Sequence, residues 1–127
     1  MTASTLPAPP LPDPELATLV TAPLAYGYMR VPAHVPDPEV RGLEQAVARY
    51  AKSLGLYFVS FFFEFDCGSR EGFDELASEL VRADAHHVVV PSLRHLALNT
   101  LLQDAMCERL ALDAGAEVHA MRSRTAE

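Results

Sequence analysis

The sequence predicts an α/β domain with an open, mostly parallel four-stranded sheet and helices on both faces. Short apolar runs alternate with helical stretches of about fifteen residues from Leu24 onward, which is typical of strand–helix–strand units. The run from Leu56 to Phe65 is apolar on both faces, as expected of a strand that helices cover on both sides. The chain has 127 residues, half of them hydrophobic, which suits one domain with a single core.

Residues 1–23 differ in composition from the rest of the chain. Six prolines lie there among alanine, threonine and leucine, and only Asp13 and Glu15 are charged. This composition predicts an extended, largely disordered arm, so the α/β domain is expected to span residues 24–127. A role for the arm as a polyproline ligand is the less favoured alternative, because the residues around its prolines are not distinctive.

The first strand is predicted from Leu24 to Val31. Asp37 can cap the helix that follows, with Pro38 at its first position, and Gly55 ends that helix. Apolar residues three and four positions apart predict the buried stripe of this helix. They are Val40, Leu43, Val47, Tyr50 and Leu54.

The second strand is the run from Leu56 to Phe65. Ser69 can cap a second helix that runs to about Ala83. The third strand is expected from His86 to Val90, with Pro91 closing it. The apolar face of the second helix consists of Phe73, Leu76 and Leu80.

Ser92 and Asn99 are both candidate caps for the third helix, and Gly115 ends it. A fourth strand follows from Ala116 to Met121. The residues of the third helix predicted to point inward are Leu101, Leu102, Ala105, Met106 and Leu110. In open parallel sheets, functional groups gather beyond the carboxyl ends of the strands. The sequence therefore predicts that Pro32, Asp66 and residues 91–94 are neighbours.

Several local strings match a known pattern. They are Tyr28-Met29-Arg30-Val31 in the first strand, Asp66 after the second, Arg70-Glu71-Gly72-Phe73 at the start of the second helix, and Val88-Val89-Val90-Pro91-Ser92-Leu93 in the third strand. Together with the order of the elements, they resemble the resolvase and invertase type of serine recombinase catalytic domain across roughly Ala25 to Met121. The resemblance implies a resolvase-like domain with a flavodoxin-like strand order.

The resemblance also implies roles for individual residues. Arg30 and Arg70 stand where the family uses arginines to hold the scissile phosphate, and Asp66 stands where it has an acidic active-site residue. Four other family positions are degenerate here. Pro32 replaces the nucleophilic serine, Arg94 occupies an aspartate position, and His95 and Leu98 replace arginines.

No catalytic residue is therefore predicted, because proline has no hydroxyl with which to attack a phosphodiester. Ser69 and Cys67 are disfavoured as replacement nucleophiles, since Ser69 is better explained as a cap and Cys67 has no evident base beside it. The segment from Asp66 to Arg70 is shorter than the family's loop. The sequence also ends at Glu127, soon after the fourth strand, whereas the family continues into a dimer-forming helix and a DNA-binding domain. The resemblance thus implies a degenerate, truncated domain.

Neither a metal site nor a cofactor is predicted. The five histidines are scattered over separate elements, apart from the adjacent pair His86 and His87. Adjacent residues of a strand point to opposite faces, so shared metal ligation by that pair is disfavoured. Cys67 and Cys107 match no zinc-ligand spacing.

Composition also limits the partners. Ten basic and seventeen acidic residues give a formal net charge of −7, which disfavours unaided binding of DNA. The apolar runs are too short and too interrupted to span a bilayer, so a soluble, cytoplasmic protein is expected. The predicted partner is instead a protein, either a different protein or a second copy of this chain. The exposed edge of the second strand, with Phe58, Phe61, Phe62 and Phe63, is the feature that suggests association.

Two functions follow from these observations. The first is a catalytically inactive recombinase-like domain that acts through protein contacts as an interaction or regulatory module. The second is an accessory subunit in site-specific DNA recombination, which joins a complete serine recombinase on DNA as an inactive subunit or retains weak contact with DNA through the surviving arginines Arg30 and Arg70. A further alternative is phosphate or nucleotide binding without catalysis, in an anion pocket lined by Arg30, Arg70 and Arg94, to which free backbone amides would add if Arg70 projects from the start of the second helix. The favoured interpretation of these arginines is structural, in which each pairs with a nearby acid such as Asp66, Glu71 or Glu64 and holds loops together.

Overall fold

The computed structural model describes residues 22–31, 36–65 and 70–122. These ranges contain four strands and three α-helices in alternating order, as the periodicity predicts. In chain order the elements are β1 Leu24–Arg30, α1 Asp37–Ser53, β2 Tyr57–Glu64, α2 Glu71–Ala83, β3 His87–Ser92, a 3-10 turn Leu93–His95, α3 Thr100–Ala114 and β4 Glu117–Arg122. The predicted arm lies almost wholly outside the described residues.

All strand pairs are parallel, and the strand order is β2-β1-β3-β4. This confirms the predicted flavodoxin-like order. The chain moves outward from β1 to β2, then crosses back to β3 on the other side of β1. The carboxyl ends of β1 and β3 therefore meet at the switch point, where open sheets of this kind place their functional groups.

Helices cover both faces of the sheet, as predicted. On one face α2 and α3 share a core with the even-numbered residues of β1 and β3, whereas α1 packs on the other face. The larger cluster includes Tyr26, Tyr28, Phe73, Leu76, Leu80, Val88, Val90, Met106 and Leu110, and the smaller one Ala25, Val47, Ala51, Leu56 and Val89. None of the helices in the described ranges is long and apolar enough to cross a membrane.

Two predicted helix caps are wrong and one is confirmed. Pro36, not Asp37, is the N-cap of α1, and its carbonyl accepts the backbone N–H groups of Glu39 and Val40. Arg70 is the N-cap of α2, and its side chain makes no capping bond. The Asn99 side chain caps α3 by accepting a hydrogen bond from the N–H of Leu102 at 2.7 Å.

The predicted inward face of α3 is partly wrong. Leu101 is 84% exposed and Ala105 is also exposed, whereas Met106 and Leu110 are buried. Gln103 lies three residues before Met106 and so shares its face. Its side-chain Nε2 donates to the carbonyl of Ala97 at 2.9 Å, which provides a partner for this buried amide.

The predicted ends of α1 and of the third strand also need correction. Leu54 is the C-cap of α1 and is 42% exposed, so the buried residues of that helix are Val47 and Ala51. The third strand continues through Pro91, because the β1–β3 ladder has already ended at the Gly27–Val89 pair. A strand that lacks a neighbour on that side tolerates a missing N–H.

Within the described ranges the second strand is an edge strand, paired only with β1. Tyr57 and Val59 are about two-fifths exposed, and Glu64 is its one fully buried residue. The prediction that helices cover both sides of this strand therefore holds only in part. Its unpaired edge agrees with the predicted exposed edge.

We expect Leu110→Ala to lower the free energy of unfolding by about 2–5 kcal/mol, because Leu110 is fully buried and its loss leaves a cavity. The matched control is Leu101→Ala in the same helix, which should change the free energy by less than about 0.5 kcal/mol. Urea unfolding of the two variants measures both values. Equal losses would contradict the orientation of α3.

Candidate functional site at the carboxyl end of the sheet

The Glu64 side chain is the centre of a buried hydrogen-bond cluster. Its carboxylate accepts the Tyr28 hydroxyl at 2.7 Å, the N–H of Gly72 at 2.9 Å and the N–H of Phe73 at 3.1 Å. Glu64 is only 2% exposed. Three donors thus replace the water that this acid loses on burial, as a buried carboxylate requires. The cluster joins β1, β2 and the first turn of α2.

The local sequence explains why these groups meet. Glu64 is the last residue of β2 and pairs with Arg30 of β1. Tyr28 lies two residues before Arg30 on the same face, so its hydroxyl reaches the Glu64 carboxylate. The first turn of α2 must then approach β2 closely. A Cβ atom on Gly72 would clash with the carbonyl oxygen of Phe63 and lie 3.2 Å from Glu64 Oε1. Glycine at this position therefore permits the approach of the helix.

The Tyr28 phenol is fully buried and lies edge-on to the Phe73 ring, with 5.7 Å between centroids. Burial and the hydrogen bond to Glu64 raise the pKa of Tyr28 well above its ordinary value of 10.0, although the charges of Arg30 and Arg70 act in the opposite direction. Both guanidinium groups therefore lie close enough to the hydroxyl to act on it. Arg30 Nη2 is 3.5 Å from Tyr28 Oη.

His95 contacts the end of β1 from the 3-10 turn. The backbone N–H of Arg30 donates to His95 Nδ1 at 3.1 Å, beyond the point where β1 and β3 stop pairing. This bond requires an unprotonated Nδ1. The ring borders a hollow of about 180 Å³ between the end of β1 and the start of α1. Its volume is below that of a typical small-molecule site, which holds roughly 300–1,000 Å³.

The structure brings some of the predicted site residues together. Arg30 and Arg70 both lie near Tyr28, and His95 contacts the backbone of Arg30. Arg94 is exposed, and Leu98 is 78% exposed on the segment before α3. Pro32 and Asp66, together with Cys67 and Ser69, lie outside the described residues.

Two of the backbone amides at the start of α2 are not available to an anion pocket. The N–H groups of Gly72 and Phe73 donate to the protein's own Glu64 carboxylate. Helix N-termini bind anions through such amides, and these two already have an internal acceptor. Sequence reasoning named Glu64 only as a partner for an arginine. The sequence does carry a signal for the buried role of Glu64, because an acid at the end of an aromatic strand needs hydrogen-bond donors when it is buried.

Two solved structures share this fold. The C-terminal catalytic domain of ISC1926 TnpA, an IS607-like serine recombinase, has a TM-score of 0.66 and 15% sequence identity, and the match covers 80% of this chain and 72% of that one. The N-terminal catalytic domain of TP901-1 integrase has a TM-score of 0.61 and 14% identity, covering 77% and 76%. No protein-family model matches the sequence, and no curated protein matches it either.

These likenesses define the class of fold. The chain has the four-stranded α/β architecture of a serine recombinase catalytic domain. The predicted resolvase-like fold is therefore confirmed. At this level of identity the match concerns the fold alone, because one fold carries many functions.

We expect the free energy of unfolding of Tyr28→Phe to fall less at alkaline pH than that of the wild type. The unfolded chain releases the Tyr28 proton near pH 10, whereas the folded protein keeps it to higher pH. The stabilising contribution of this group is thus complete below pH 10 and is lost as pH rises above it. The variant should also lose about 1 kcal/mol at neutral pH, because Glu64 loses one donor.

Unfolding free energies between about pH 8 and pH 11 measure both effects, with the half-exposed Tyr57→Phe as the control for loss of a tyrosine. A pH dependence in Tyr28→Phe equal to that of the wild type would contradict the buried Tyr28–Glu64 pair.

Proposed function

We propose that this recombinase-fold domain does not cleave DNA and acts by binding another protein, as an interaction or regulatory module. The observation that carries the proposal is Pro32, which follows Val31 just beyond the end of β1. The family that the sequence resembles has its nucleophilic serine at that position. A proline side chain has no hydroxyl to form a covalent bond with DNA.

The electrostatics around Glu64 support the same proposal. Phosphoryl transfer depends on several positive groups and hydrogen-bond donors acting together, and the loss of one commonly costs on the order of 100-fold in rate. Here two helix amides and a tyrosine hydroxyl serve a buried carboxylate. That carboxylate lies in the neighbourhood of Arg30 and Arg70, so its charge opposes the attraction of a phosphate.

Four phenylalanine rings along β2 support a protein-binding role. Phe61 stacks on Phe63 with 5.6 Å between centroids, and Phe63 stacks on Phe65 with 5.7 Å. Phe58 lies 4.8 Å from Phe61 and completes this phenylalanine ladder. Phe65 is 65% exposed. Aromatic surface of this kind is enriched where proteins bind one another.

Phe62, which was predicted to belong to the exposed edge of the second strand, does not belong to it. Phe62 lies beside Tyr26 at 5.8 Å and packs on the core under α2, so it belongs to the opposite face from the ladder. The Phe61 ring of the ladder lies over Gly27 of β1, where a Cβ atom would clash with it. The backbone edge of β2 and the exposed Val59 lie next to the ladder. A partner that adds a strand to this edge would also cover the rings.

The second candidate is an accessory subunit in DNA recombination. Arg30, Arg70 and Arg94 lie on elements that meet at the carboxyl end of the sheet, and two of them are exposed. This arrangement favours weak contact with DNA phosphates. The net charge of −7 opposes it, because the whole protein repels a polyanion.

We expect the tagged protein, recovered from its native cells after nuclease treatment, to retain a specific protein partner. Val59→Lys should abolish the recovery, because a charge on the β2 edge blocks strand addition. The matched control is Val81→Lys on exposed α2, which should retain the partner. DNA that stays attached to the wild-type protein under denaturing conditions would contradict an inactive domain, and recovery that depends on DNA would favour the second candidate.

A mobility-shift experiment with duplex DNA at low salt tests the second candidate directly. We expect no shift, since the net charge is negative. A shift that weakens steeply with salt, and that falls in Arg70→Gln and Arg94→Gln but not in the exposed control Arg49→Gln, would instead identify a phosphate contact at the sheet end.

A further inference from the structure

Two histidines and a glutamate meet on the edge of the sheet formed by β3 and β4. In the parallel register His87 pairs with Glu117, and Val89 pairs with His119. Residues two positions apart on a strand share a face, so Glu117 and His119 lie on the same side as His87. Among the described residues, one ligand atom from each of these three side chains lies within 4.8 Å of the others.

The ligand atoms converge closely. His87 Nδ1 is 3.0 Å from His119 Nε2, and the two rings are stacked with 5.3 Å between centroids. Glu117 Oε1 is 3.8 Å from His119 Nε2. In the metal-free protein one imidazole must donate a proton to the other for the short contact to be a hydrogen bond.

The surroundings of these side chains combine partial burial with access to solvent. Val89, two residues after His87, packs with Val47 and Ala51 of α1, so the histidines lie on the α1 face, where the core gives way to the outer strand. The side chain of His119 is 21% exposed, and that of Glu117 is 72% exposed. Burial, with a smaller contribution from His119, lowers the pKa of His87. The neutral form is the one that binds metals.

We propose that His87, Glu117 and His119 form a binding site for a divalent transition-metal ion such as Zn²⁺. Two imidazole nitrogens and a carboxylate oxygen are a ligand set that zinc accepts, with a fourth position left for water or for a group from a partner. Nitrogens bound to one tetrahedral zinc ion lie roughly 3.3 Å apart. The observed nitrogen separation of 3.0 Å therefore lies within a few tenths of an ångström of the separation that a shared zinc ion requires.

Binding changes the protonation of the pair. The proton that bridges His87 Nδ1 and His119 Nε2 moves, by exchange with solvent, to the other nitrogen of the ring that carries it, so that both rings stay neutral and both facing nitrogens offer lone pairs to the ion. Glu117 moves toward the same point from its exposed position. The bound ion would join β3 to β4 through side chains, in addition to their backbone hydrogen bonds.

This site is separate from the cluster around Glu64. His87 and Glu117 are the first residues of their strands, whereas Arg30 and Glu64 are the last residues of theirs. In a parallel sheet these are opposite ends. The metal site therefore goes beyond the proposed protein-binding role and does not depend on it.

The test is a titration of the full chain with zinc chloride, in which isothermal calorimetry measures the affinity and equilibrium dialysis measures the number of ions bound. We expect one zinc ion per chain, a binding constant reduced by at least about 10–100-fold in His119→Gln, and a reduction in Glu117→Gln as well. The matched control is His86→Gln. His86 lies next to His87 but is exposed and contacts Asp84 and the carbonyl of Ala114, so this variant should bind zinc like the wild type.

A second measurement on the unmodified chain covers the case in which a variant fails to fold. In NMR spectra of the histidine side chains, zinc should shift the ring nitrogens of His87 and His119 and leave those of His86 unchanged. Zinc should also raise the thermal midpoint of the wild type and of His86→Gln, but not that of His119→Gln. Absence of binding, unchanged binding in His119→Gln, or shifts confined to other histidines would overturn the proposal.

Discussion

The buried Glu64 carboxylate is the interaction on which the carboxyl end of the sheet depends. Removing a carboxylate from water costs several kcal/mol unless hydrogen-bond donors replace the water. Here the donors come from β1 and from the start of α2, so neither element can move away without exposing or orphaning the acid. The close approach of Gly72 to β2 follows from the same requirement.

This constraint also shapes what the domain can do. The fold is that of a serine recombinase catalytic domain, and the end of β1 lies at the switch point where open parallel sheets carry their functional groups. The donors at that point already serve an internal acid. The exposed features, which are the phenylalanine ladder and the histidine cluster, lie instead on β2 and at the opposite end of β3 and β4. The two features that we propose as binding sites therefore lie away from the switch point.

The prediction of which helix residues are buried is correct where polar and apolar residues are clearly separated on opposite sides of the helix. In α2 the residues Phe73, Leu76 and Leu80 are all fully buried, because charged residues occupy the other side of that helix. In α3 apolar residues occur on several sides, so the period alone does not define an inward face. The hydrogen bond from Gln103 to Ala97, together with packing of Met106 and Leu110, decides the orientation and leaves Leu101 in solvent.

The order of strands and helices, the parallel α/β class and the missing hydroxyl at Pro32 are properties that the sequence by itself determined. They follow from local periodicity and from side-chain chemistry, which need no knowledge of distant neighbours. Only the tertiary structure decided that Glu64 accepts the hydroxyl of Tyr28 and that His87 meets His119. These partners are 36 and 32 residues apart in the chain, and parallel strand pairing places the two members of each pair diagonally across neighbouring strands, two positions apart in register. Contacts of this kind depend on register and strand order, which local sequence patterns do not encode.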